Sequence, residues 1–163
     1  MPGTRQVDKI KLVVGLHAVV PSTSSPKWVS LKGYNHLTVI VSFSNATTVT
    51  GSAISLAQAT AVAGTATKAL AFTTMWANLD DASSVALTQT AVTSNTFTTL
   101  TTNSKTGFYV IEVDADTLDL ANGFHCIQAV TGNATAATLE VTYILSGARF
   151  AGGYNSAMNP LAD

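Results

Sequence analysis

The chain has 163 residues, of which 47% are hydrophobic and 10% charged, against roughly 25% charged in an average soluble domain. That length and apolar content suit one domain with its own core and exclude a disordered chain. A net charge of −1, from 8 basic and 9 acidic residues, leaves no electrostatic footprint for nucleic acid or an anionic membrane.

The first 26 residues read as an N-terminal arm. Ile10, Leu12, Val14 and Leu16 alternate with Lys9, Lys11, Val13 and Gly15, the period of a strand that buries one apolar row. The arm is expected to dock on a neighbouring molecule by adding a strand to its sheet. Ile10, Leu12, Val14 and Leu16 would supply the contact, and Arg5, Lys9 and Lys11 would meet acidic groups. A core role within the same chain is the competing expectation. The apolar run from Leu12 to Val20 is broken by Gly15 and His17 and falls short of the roughly 18 residues of a membrane span. It follows basic residues as a secretory signal would, but Asp8 and His17 are badly placed for one and no clean cleavage site follows. The segment is therefore expected to be retained.

After the turn-rich run from Pro21 to Pro26, residues 27–150 read as the domain proper. Tyr34 to Phe43 places Leu37, Val39, Val41 and Phe43 on one face and His36, Thr38 and Ser42 on the other, a half-buried strand. Val49 to Ala59 keeps Ile54 and Leu56 in step, although its alanines fit strand or helix. Lys68 to Asn78 reads as one strand with Leu70, Phe72, Thr74 and Trp76 on its apolar face. Two short Thr-rich strands follow, Val85 to Val92 and Asn95 to Thr102, then a stronger one over Phe108 to Val113. Asp116 to Asp119 predicts a helix start that Asn122-Gly123 stops within one turn. Phe124 to Val130 and Leu139 to Leu145 complete about eight strands, with Gly132 to Thr135 read as a hairpin end. This is the pattern of an all-β sandwich or jelly roll, with Leu37, Val39, Val41, Phe43, Ile111, Tyr143 and Leu145 in the core. Residues 151–163 form a tail without hydrophobic period.

Little in the chain points to chemistry. His17, His36 and His125 lie in separate segments without zinc-site spacing, and the single Cys126 allows no internal disulfide. Cys126 falls in step with Phe124 and Val130 and reads as a buried, inert thiol. Glu112, Asp114 and Asp116 alternate along one strand with Asp119 behind, a pattern a hard cation could use, but it fails the EF-hand spacing and fits a solvated strand end better. Asn45-Ala46-Thr47 and Asn133-Ala134-Thr135 match the short glycosylation pattern and are discounted. No nucleophile elbow, phosphate loop or dinucleotide fingerprint occurs. No catalytic residue, metal or cofactor is therefore expected.

Taken together, Lys68-Ala69-Leu70-Ala71-Phe72, Met75-Trp76-Ala77-Asn78, Thr93-Ser94-Asn95-Thr96-Phe97-Thr98, Tyr109-Val110-Ile111-Glu112-Val113, Thr117-Leu118-Asp119, Asn122-Gly123-Phe124 and Tyr143-Ile144-Leu145-Ser146 resemble small virion proteins of tailed bacteriophages. The resemblance runs from about Tyr34 to Phe150 and is to the capsid decoration, or cement, proteins. It implies a structural protein on the capsid exterior, made in the bacterial host cytoplasm, with the major capsid protein and copies of itself as partners, commonly as a homotrimer. It implies no enzymatic activity. A charge-poor surface favours association in the same way. The alternatives are another virion position, in the tail or fibre, and a carbohydrate-binding module using Trp28, Trp76 and Tyr154. Trp76 is expected in the core, which weighs against the sugar reading.

Overall fold

The computed structural model describes residues 9–149 and 159–162. Eleven strands follow in order: β1 Ile10–Val19, β2 Val29–Ser30, β3 Tyr34–Asn45, β4 Ala53–Ala59, β5 Lys68–Leu70, β6 Thr74–Asn78, β7 Thr88–Ala91, β8 Thr96–Thr98, β9 Thr106–Asp114, β10 Cys126–Thr131 and β11 Ala137–Ala148. All pairings are antiparallel. The larger sheet runs β1-β11-β3-β9-β6-β7 and the smaller β2-β10-β4-β5, with β8 also paired to β4. The fold is an all-β sandwich. Three 3-10 turns, Pro21–Thr23, Ala115–Thr117 and Leu120–Asn122, supply the remaining regular structure among the described residues. The last two occupy the predicted helix start, and Gly123 ends them in the left-handed conformation at φ +80°.

The core lies between the sheets. Leu37, Val39, Val41, Phe43, Ile111, Tyr143 and Leu145 are all buried there, as their alternation predicts. Strands β3, β9 and β11 are rich in Val, Ile, Thr and aromatic residues, which fit a pleated surface with one face covered. Aromatic rings extend the contact at one end of the sandwich: Phe43 meets Tyr109 at 5.5 Å between centroids, Tyr109 meets Phe97 at 4.8 Å, and Phe97 meets Phe72 edge-on at 6.3 Å. The Tyr109 hydroxyl accepts the Leu100 N–H at 2.7 Å, so its polar end is satisfied inside the core.

Four expectations are corrected. The first is the separate arm. Residues 10–19 form β1, which pairs with β11 of the same chain from Ile10↔Ser146 to Val19↔Leu139. Strand β11 has twelve residues and would otherwise leave its ladder unpaired along a sheet edge. The pairing is irregular between Val14 and Leu16 and again between Leu16 and Val19, and this resets the phase of the side chains. Val13 and Leu16 are consequently buried, whereas Leu12 and Val14 are 56% and 38% exposed.

The second is the strand from Lys68 to Asn78, which is two strands in different sheets. The chain leaves the smaller sheet after Leu70 and enters the larger at Thr74. Crossing over residues 71–73 shifts the alternation, so that Met75 and Ala77 are buried with Leu70 and Phe72 while Trp76 is only half-buried on the outer face. Third, Gly132 to Thr135 joins strands of different sheets and is an arch over the sandwich end, not a hairpin. Fourth, Cys126 is fully buried, as expected, but Val130 in its row is 38% exposed.

The tail is tied down within its described part. Pro160 is buried and its carbonyl accepts the Ser30 N–H of β2 at 2.7 Å.

Candidate functional site

With both inner faces committed to the core, the outer face of the larger sheet is the widest ordered surface left. Strand register lays its outward residues in rows across the sheet. One row is Val14, Thr142, Ile40, Val110 and Trp76; the next is Leu12, Ile144, Thr38 and Glu112; a third is Ile10, Ser146, His36 and Asp114. Ile40, Val110, Ile144, Phe108 and Trp76 are half-buried by their neighbours on the sheet, and Leu12 and Val14 stand proud of it. The face is thus largely apolar and hydroxyl-bearing, with Glu140 on β11 beside Thr142 and a cluster of charge at the Glu112 and Asp114 rows. A contiguous apolar area of this kind marks an interaction surface far more often than scattered exposed side chains do.

A charged cluster closes one end of that face. His36 and Asp114 lie directly opposite across β3 and β9, as do Thr38 and Glu112. The His36 ring bridges both acids, with Nδ1 2.6 Å from Asp114 Oδ1 and Nε2 bonded to Glu112 Oε2. The Thr38 hydroxyl donates to the same Glu112 oxygen at 2.8 Å. Burial pulls the His36 pKa down, but hydrogen bonds to Asp114 and Glu112 and their negative charges outweigh it, and the net direction is upward. His36 therefore carries its proton further into the neutral range than a free imidazole.

Beside the cluster lies a groove of about 260 Å³ between the β5–β6 crossover and the end of β9. It is lined by Phe72, Thr74, Trp76, Glu112, Asp114 and Thr117 together with Ala71, Thr73 and Val113. An indole next to two carboxylates suits a cationic group or a hydroxylated ligand.

The residues singled out in the sequence are distributed as follows. Leu12 and Val14 lie on the outer face, Ile10 is half-buried at its edge, Lys11 is half-buried on the opposite side of β1 in register with Leu145, and Lys9 is exposed just before β1. Leu16 points into the core. Arg5 and Tyr154 lie outside the described residues. Trp28 is half-buried over Gly64, whose added Cβ would come 2.7 Å from the indole nitrogen, well away from Trp76 in the chain's other sheet region. His17 and His125 sit apart from His36, and among the described residues no group of three or more His, Cys, Asp or Glu is arranged to hold a metal. Asn45 is buried, with Nδ2 donating to the Leu100 and Thr102 carbonyls at 2.8 and 3.0 Å, so it is no glycosylation acceptor in the folded chain. Asn133 is exposed.

No protein-family model matches the chain, and no curated protein does. Among solved structures, the crystal structure of the SPBc2 prophage-derived protein YomS is similar, with 13% sequence identity, coverage of 83% of this chain and 91% of that one, and a TM-score of 0.44.

Proposed function

We propose that this chain is a structural virion protein that decorates and stabilises the outside of a tailed-phage capsid, binding the major capsid protein lattice as an oligomer, most simply a homotrimer. The observation that carries the reading is the largely apolar outer face of the larger sheet, ordered by strand pairing on five adjacent strands and left open by the described residues. A protein with a wide, largely apolar surface and few charges gains most by joining an array of partners. The sequence resemblance to cement proteins points the same way. The test is cosedimentation of the purified chain with undecorated capsids. Saturable binding at a fixed ratio to capsid subunits supports decoration, and absence of binding rejects it.

One observation favours a second reading. Trp76, expected in the core, lines the groove with Glu112, Asp114 and Thr117, an aromatic platform beside acceptors of the kind sugar-binding sandwiches use. Saccharide-dependent quenching of indole fluorescence, lost in Trp76→Ala, would select that reading over decoration.

A further inference from the structure

We infer that the groove beside β9 seats an arginine side chain presented by a protein partner, its guanidinium stacked on the Trp76 indole and bonded to Glu112 and Asp114. The inference rests on the reading of this chain as one that docks on other proteins, and it assigns one point of that contact.

The groove is built on a tryptophan that the core does not use. Trp76 faces outward, directly opposite Val110. Glu112, two residues further along β9 on the same face, is its diagonal neighbour, and such neighbours lie roughly 7–8 Å apart. The β5–β6 crossover on one side and Thr117 on the other enclose the space between them. Each acid commits one oxygen to the His36 bridge, Glu112 Oε2 and Asp114 Oδ1. Their other oxygens, Glu112 Oε1 and Asp114 Oδ2, accept no bond from the described residues. No lysine or arginine among the described residues pairs with either acid. The lining therefore offers a flat aromatic surface beside two open carboxylate oxygens, and it stays negative even when His36 is protonated.

That combination selects the ligand. A guanidinium is planar, weakly hydrated and always charged, so it can lie on an aromatic face while its edge N–H groups reach carboxylates. A lysine ammonium is a compact charge with a stronger hold on water and lacks the flat face. The volume of about 260 Å³ falls below the roughly 300–1,000 Å³ of pockets that enclose whole small molecules, and it suits one side chain entering from a partner's surface.

His36 gives the contact a pH dependence. The groups facing its ring are Glu112 and Asp114 on β9, the uncharged Ser146 on β11 and the exposed Asp116 on the 3-10 turn packed against β3. A proton on His36 and a cation in the groove draw on the same two carboxylates, so each weakens the other. Arginine is held more tightly as pH rises through the His36 pKa.

The test follows the Trp76 indole and His36 ring signals of the full chain by NMR, with Trp76→Phe assigning the former. The probes are N-acetylargininamide, the corresponding lysine and norleucine amides, and a panel of mono- and disaccharides. The arginine probe is expected to saturate the Trp76 shift at about 1–10 mM, with lysine several-fold weaker and norleucine without effect. Its affinity should rise about three- to fivefold between about pH 6 and pH 8.5, the worth of one nearby charge in water. It should fall about tenfold in Glu112→Gln/Asp114→Asn, where both charge-assisted bonds are weakened. If circular dichroism shows that double variant unfolded, Asp114→Asn alone, at the more exposed acid, is expected to lose about threefold. Failure of arginine to saturate, equal binding of norleucine, or acid variants that bind as wild type overturns the inference. A saccharide that saturates the signal where arginine does not overturns it in favour of the sugar reading. On undecorated capsids the same acid variants are expected to bind more weakly than wild type. Capsid binding unchanged in them overturns the inference and leaves decoration standing, whereas a chain that takes arginine but ignores capsids rejects decoration and leaves the groove standing.

Discussion

The Tyr143 hydroxyl, on β11 of the larger sheet, accepts the Ala129 N–H of β10 in the smaller sheet at 2.9 Å. One side chain thus spans the core and satisfies a backbone donor of β10 past the end of the short β2 ladder, which pairs only Cys126 and Ile127. Burial drives the Tyr143 pKa far upward, and the hydrogen bond from Ala129 only partly offsets this. Tyr143→Phe should leave that N–H buried and unpaired, costing about 1–3 kcal/mol in denaturant unfolding with the fold unchanged. An undiminished midpoint would show that the bond contributes nothing.

The same burial has a pH consequence. Because the folded-state pKa lies above the unfolded value of about 10, the stability from keeping Tyr143 neutral is complete below that pH and is lost as pH rises beyond it. Spectrophotometric titration should find one of the four tyrosines ionising only as the chain unfolds. Four tyrosines titrating together in folded protein would contradict this.

Gly15 should not tolerate a side chain. A Cβ there would come 2.3 Å from Tyr143 Cε2, and that ring is held by the core around it and by its hydroxyl. Gly15→Ala is expected to destabilise by about 1–3 kcal/mol through overpacking. Combined with Tyr143→Phe it should cost less than the sum of the two, since freeing the ring lets it move aside. Strict additivity in the double-mutant cycle would separate the two sites.

His36 should make the larger sheet pH-sensitive in one direction. Its pKa is raised in the fold, so its contribution is complete below the unfolded value of about 6.5 and declines as pH rises through the folded value. Unfolding midpoints measured from pH 6 upward into the mildly alkaline range should fall for wild type more than for His36→Gln. Equal slopes would mean that the bridge between β3 and β9 is energetically silent.

Asn45 separates donor chemistry from shape. Its amide donates to two carbonyls in the segment before β9, at net values of about 0.5–1.5 kcal/mol each. Asn45→Asp keeps the volume but sets a carboxylate against both carbonyls, so it should destabilise more than Asn45→Ala at neutral pH and approach it as the pH falls through the carboxyl range. The reverse order would indicate that packing, not donation, holds the segment.

How much of this the sequence revealed depended on distance along the chain and on continuity of pattern. Leu37 to Phe43 alternate without interruption, so their burial could be read directly, and Ile111, Tyr143 and Leu145 likewise. Trp76 was misplaced because three residues of crossover separate it from Leu70, and a change of sheet leaves no mark in a period-2 count. The phase of β1 failed at Gly15 for a similar reason, since an irregular pairing is set by the partner strand. His36 was placed on the outward face of β3, and Glu112 and Asp114 were seen to alternate. Their meeting depends on β3 pairing with β9, more than 70 residues apart, and no local pattern carries that.

The carbonyl of Gly15 does not join the β11 ladder; it accepts the N–H of Lys27 at 2.8 Å. That bond sits midway along what would otherwise be a ten-residue outer edge, leaving only Ile10 to Val14 as a regular stretch. A like strand arriving at this edge finds its template interrupted after five residues, too short for the continuous zipping that drives fibril growth. Copies of the chain can therefore crowd to high local density, as on a shared lattice or during overexpression, while strand-by-strand growth from the β1 rim is cut short.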